Sequence, residues 1–178
     1  MPLSMYQASI HVLIRGLEAL SGLLAKGAAH AEAAGMDPAA LVGAQLAPDM
    51  YPLSGQVQRA SDTAKGTAER LSGVPAPRFP DEETTFPELQ ARIAATLAYL
   101  RSVDPSALEG SEARGVTLKF GKLSQDFTGA SYLTDFAIPN FIFHVAVAHA
   151  ILRNQGVSVG KRDFLGSFSG SFSGSFPG

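Results

Sequence analysis

The strongest constraint on this chain is a set of four apolar stripes, each repeating at three- and four-residue steps. The first runs through Ile10, Leu13, Ile14, Leu17, Leu20 and Leu24. The second takes Met50, Leu53, Val57, Ala60, Ala64, Ala68 and Leu71. The third takes Phe86, Leu89, Ile93, Leu97, Leu100 and Val103. The fourth takes Leu133, Phe136, Ala137, Phe141, His144, Val147, Ala148, Ile151 and Leu152. This spacing lines one face of a helix. A helix with one apolar face must bury it against another element, so four of them predict an all-α four-helix bundle, with an irregular all-helical domain as the alternative.

Start and stop signals frame the stripes. Ser4 and Gln7 form a capping box and start the first helix, which runs to Gly35. Asp37-Pro38 opens a short connecting helix over Ala39 to Leu46. Pro48 and Pro52 precede the second long helix, which stops at Gly73. Thr85, Pro87 and Glu88 start the third helix, and Asp104-Pro105 ends it. The alternation Val116-Thr117-Leu118-Lys119-Phe120, the turn residue Gly121 and the run Ser124 to Phe127 predict a small β-hairpin in the crossover before the last helix. That helix is expected from about Ala130 to Gln155, with a kink at Pro139. The bundle domain is read as 1–166. Residues 167–178 repeat Gly, Ser and Phe without charge and read as a low-complexity tail.

Composition narrows the partners. Lys and Arg number 14 against 16 Asp and Glu, for a net charge of −2, and the cations are scattered. Nucleic-acid binding is not expected from such a distribution. The absence of cysteine removes disulfides, thiolate ligands and thiol nucleophiles and fits a reducing cytoplasm, the expected location. No signal peptide is read at the N-terminus. The most apolar run, Ile138 to Leu152, is shorter than a bilayer span and carries Asn140, His144 and His149, so no membrane partner is expected.

The candidate chemistry centres on His144, on the inward stripe of the last helix. A buried imidazole needs partners for both nitrogens. One reading is a core histidine tied to a facing helix; the other is a general base or metal ligand inside the bundle. His149 lies five residues on, about 140° around the helix, and cannot easily share an ion with His144. It is assigned to the surface or an interface, His30 to solvent, and His11 to the stripe's border. Gln58, Asp62 and Lys65 form a polar row on the second helix. They are either a solvated flank or, for Gln58 and Asp62, a pocket wall opposite His144, with Asp62 orienting the imidazole. Asn140 could supply an amide to the same pocket or satisfy the carbonyl that Pro139 leaves free. No phosphate loop, G-x-S-x-G or H-E-x-x-H motif is present.

Several blocks resemble the DUF1993 family: Ser4-Met5-Tyr6-Gln7-Ala8-Ser9, Leu46-Ala47-Pro48-Asp49-Met50, Gln56 to Lys65, Pro139-Asn140-Phe141 to His144, and Gly160 to Gly166. The resemblance implies the DinB/YfiT-like four-helix bundle, many of whose members hold a metal on three histidines and some of which transfer thiols. It also adds Tyr6 and Asp49 to the candidate ligand-binding residues. The wider group draws one histidine from its second helix and an H-x-x-x-H pair from its fourth. This sequence has no histidine between Asp49 and Gly73, and only His144 matches on the last helix.

Three functions follow as expectations. The first is a small-molecule-binding bundle or degenerate metalloenzyme, a homodimer without a cofactor. Its His144 and Asp62 would be the reactive pair, with Asn140, Gln58, Tyr6 and Asp49 as ligand-binding residues. The second is a metal-assisted or acid–base enzyme using His144, with a divalent metal as the alternative cofactor. The third is a structural protein whose apolar faces form an oligomer.

Overall fold

The computed structural model describes residues 2–166; the low-complexity segment 167–178 lies outside them. Its helices are α1 (Met5–Ala8), α2 (Ile10–Ala34), α3 (Pro38–Val42), α4 (Leu53–Ser72), α5 (Phe86–Ser102), α6 (Gly129–Ser131), α7 (Ile138–Asn154) and α8 (Lys161–Leu165). A hairpin of β1 (Gly115–Phe120) and β2 (Leu123–Thr128) precedes α6, in antiparallel register from Gly115 opposite Thr128 to Phe120 opposite Leu123. The predicted hairpin is therefore present, and α2, α4, α5 and α7 form the bundle.

The four stripes are its core. Leu13, Leu17, Leu20, Leu53, Val57, Leu89, Leu100, Phe141 and Ile151 are all buried in one cluster. Each such side chain contributes roughly 1.5–3 kcal/mol on removal from water. Small residues set the spacing: a Cβ on Gly16 of α2 would collide with the Phe141 ring, so the two helices meet with the aromatic seated on bare backbone. Both predicted capping boxes form, at Ser4 with Gln7 and at Thr85 with Glu88.

Three local expectations change. The first helix is broken at Ser9, whose φ of −117° and ψ of −80° leave the helical region. The buried Ser9 hydroxyl donates to the Met5 carbonyl at 2.6 Å, a back-bond that bends helices. Met50 precedes α4 rather than lying on it. Pro139 falls in the first turn of α7, directly after a wide π-helical turn over Tyr132–Ala137 in place of the regular α-helix expected there. A π turn and a proline are both places where helices bend. Helical structure is continuous from Gly129 to Asn154. That segment and Met5–Ala34 are long and apolar enough to cross a membrane, which corrects the sequence estimate based on Ile138 to Leu152 alone. Both bury their stripes in the bundle core.

Candidate functional site

The α4–α7 seam carries the candidate histidine and its polar neighbours. Two rungs cross it. Gln56 of α4 meets His144 of α7, and Thr63 meets Asn140 one turn earlier on α7, as expected for antiparallel neighbours. His144 is only 8% exposed and Gln56 1%. The imidazole Nδ1 and the Gln56 Oε1 are 2.8 Å apart. The amide orientation follows from the other end, where Gln56 Nε2 lies 3.0 Å from the Tyr51 carbonyl, which can only accept. Oε1 therefore faces the ring, Nδ1 carries the proton, and Nε2 keeps its lone pair. Nε2 has no hydrogen-bond partner among the described residues and is not one of the sealed, orphaned buried atoms. Burial, then the Arg59 charge, push the His144 pKa down, so the ring is held neutral.

The Phe143 ring stands edge-on to the imidazole at 5.3 Å between centroids, and Arg59, whose charge the ring feels, lies over the Tyr51 ring at 5.9 Å. Phe143 and Tyr51 are exposed. Asn140 donates to the Thr63 hydroxyl at 2.8 Å, and that hydroxyl donates to the Arg59 carbonyl at 2.8 Å. Asn140 is thus committed to α4 and not to the carbonyl opposite Pro139.

Gln58 and Asp62 belong to a different assembly, centred on Arg92 of α5, whose side chain is 1% exposed. Its guanidinium reaches Asp62 at 2.8 Å, Asp81 at 3.0 Å, Glu83 at 3.0 Å and the Pro80 carbonyl at 3.1 Å. Gln58 donates to Glu83 at 3.0 Å, and Lys65 pairs with Asp62 at 2.9 Å. Burial opposes ionisation of Glu83. Hydrogen bonds from Arg92, its own backbone and Gln58 nevertheless hold its carboxyl below the usual range. These contacts bind the extended segment after α4 to the bundle.

The family model of DUF1993, described as a domain of unknown function, matches residues 5–165. The chain belongs to the DUF1993 family. Its fold is DinB-like: the crystal structure of a DinB family member protein from Shewanella denitrificans superposes with a TM-score of 0.87. That protein is 34% identical to this chain, over 94% of this chain and 95% of the other. No curated protein matches.

Within this DUF1993 chain the single pocket expected from Gln58, Asp62, Asn140 and His144 is divided. Gln58 is two residues past Gln56, about 200° around α4, and Asp62 turns to Arg59, Lys65 and the buried Arg92. The imidazole is oriented by an amide, not by Asp62. Gln56 is the residue that sequence reasoning missed. The signal was present, because Gln56, Ala60 and Ala64 follow one another at four-residue steps into the core. Tyr6 lines another groove, of about 450 Å³, with Leu3, Ser4 and residues 105–112, and Asp49 is exposed.

The remaining histidines do not join His144. His149 Nε2 is buried without a partner, its ring edge-on to Phe164 of α8 at 6.1 Å, so it is half-covered rather than a surface group. His30 is half-buried beside Gly156. His11 is exposed at the rim of an apolar groove that includes Phe141 and Phe164. Among the described residues no three His, Cys, Asp or Glu side chains converge as a metal site. With Nδ1 of His144 capped by Gln56 and Asn140 held by Thr63, the residues present do not fit the three-histidine centre of the wider fold group.

Proposed function

We propose that this chain is a small-molecule-binding bundle of DinB-like fold, gripping its ligand at Nε2 of His144 without a three-histidine metal. The Gln56–His144 hydrogen bond carries this reading. It makes Nε2 a fixed acceptor on a neutral ring, and a ligand that offers an N–H or O–H donor complements it. Exposed Tyr51 and Phe143 supply apolar surface for the body of that ligand. A thermal-shift screen of small molecules, repeated on His144→Ala, tests the proposal. Compounds that stabilise the native protein should bind at least tenfold more weakly to the variant. Equal binding to both proteins sinks the assignment.

The lowered pKa of His144 favours a second reading, an acid–base enzyme in which Nε2 accepts a proton from the bound molecule. Turnover abolished in His144→Gln with binding retained supports that reading; turnover unchanged in His144→Gln rejects it. A homodimer remains part of the proposal, since Ile142 and Phe143 leave apolar surface exposed on α7. Sedimentation of a strict monomer at high concentration removes it.

A further inference from the structure

A second cleft, of about 330 Å³, lies between α4 and the extended segment that follows it, lined by Lys65, Gly66, Glu69, Arg70, Arg78 and Phe79 among others. The segment is tied down along its length. Glu69 accepts the Ala76 amide at 3.1 Å, Lys65 donates to the Pro77 carbonyl at 3.2 Å, and Tyr99 donates to the Val74 carbonyl at 2.7 Å. Phe79 is held by two cations, Lys65 at 4.7 Å and Arg92 at 5.4 Å from its ring centre. The cleft is therefore a built feature.

Its charges do not balance. Asp62 is answered by Arg59, Lys65 and Arg92, and Asp81 by Arg59 and Arg92. Glu69 accepts the Ala76 amide and lies 3.7 Å from Arg78, which is 84% exposed. Arg70 alone of the cations lining the cleft has no carboxylate partner among the described residues. Its guanidinium lies over the Tyr132 ring at 5.8 Å. A second observation concerns its seat. Gly66 sits mid-helix, where glycine is unfavourable and where no positive φ demands it. A Cβ there would come within 2.5 Å of Arg70 Nη1, so the guanidinium folds back against bare backbone at Gly66 beside the cleft, and a side chain at 66 would displace it.

We infer that this cleft binds a small molecule through a phosphate-type oxyanion. Arg70 supplies the planar donor fork, and Arg78 closes from the opposite wall. Asp62 and Asp81 are paired with Arg59, Lys65 and Arg92, which leaves Glu69, hydrogen-bonded to the Ala76 amide, as the carboxylate nearest the bound anion. The site is independent of the His144 reading.

Calorimetric titration of the full chain with glycerol phosphate and with inorganic phosphate, at ionic strength matched by sodium chloride, tests the inference. Saturable binding is expected, at least tenfold weaker in Arg70→Gln and measurably weaker in Gly66→Ala. Arg70 is exposed and alanine favours helices, so both variants should fold as the native chain does. Heats no larger than those of chloride, or binding unchanged in both variants, overturn it. Binding to phosphatidic-acid vesicles without binding to glycerol phosphate overturns the small-molecule assignment in favour of a lipid headgroup.

Discussion

Replacing Gln56 with methionine is the sharpest probe of the candidate site. The substitution keeps the length of a side chain that is 1% exposed but removes both its hydrogen bonds, at 2.8 Å to His144 Nδ1 and 3.0 Å to the Tyr51 carbonyl. The Tyr51 carbonyl precedes α4 beside an exposed side chain, where water can replace the lost donor. The Nδ1–H is in a residue only 8% exposed and is stranded. A stranded buried donor costs about 1–3 kcal/mol. Burying a thioether instead of an amide offsets part of that, leaving an expected loss of roughly 1–2 kcal/mol. Urea unfolding at pH 7.5 measures it, as a lower midpoint at unchanged slope. The ¹⁵N shifts of the His144 ring provide the second readout. In the native protein Nδ1 should be protonated and Nε2 bare, and in Gln56→Met that preference should be lost. Native-like stability together with an Nε2–H tautomer in the unaltered protein would refute the reasoning, because Gln56 would then be neither partner nor tautomer lock.

The lowered pKa of His144 sets a pH dependence whose sign follows from linkage. The unfolded chain takes up the proton near the ordinary value of 6.5 and the folded one only at lower pH. This contribution to stability is therefore complete above that value and is lost as pH falls towards the folded pKa. Unfolding midpoints at several pH values should show a slope that shrinks in His144→Gln; an equal slope in the variant would place the titration elsewhere. Arg92→Met should cost about 2–3 kcal/mol, below the ~3–5 typical of breaking a fully buried pair, because Asp62 and Asp81 keep contact with water. Proteolysis should then cut the segment around Pro77 to Asp81 earlier than in the native chain; unchanged protection would mean that Arg92 does not hold it.

Much of the scaffold is legible in the sequence. The stripes of α2, α4, α5 and α7, the boxes at Ser4 and Thr85 and the presence of a hairpin around Gly121 all depend on neighbours within a few residues, which is the range over which spacing, capping and turns act. The break at Ser9 and the π turn before Pro139 leave no local signature, because each depends on how a strained turn is satisfied in three dimensions. His144 was likewise marked by its place on an apolar stripe.

Its partner was a different matter. A polar side chain on α4 can be ranked by its own helix, and by that measure Gln58 and Asp62 looked as suitable as any. Arg92 comes from α5 and draws both into a charged cluster, while Gln56 alone faces the imidazole. Four helices, their inward faces and one inward histidine follow from local periodicity alone. Which amide locks that histidine, which nitrogen stays open and which arginine lacks a carboxylate beside a cleft were settled by packing between helices. Those outcomes depend on competition among groups 25 to 88 residues apart for the same few hydrogen bonds.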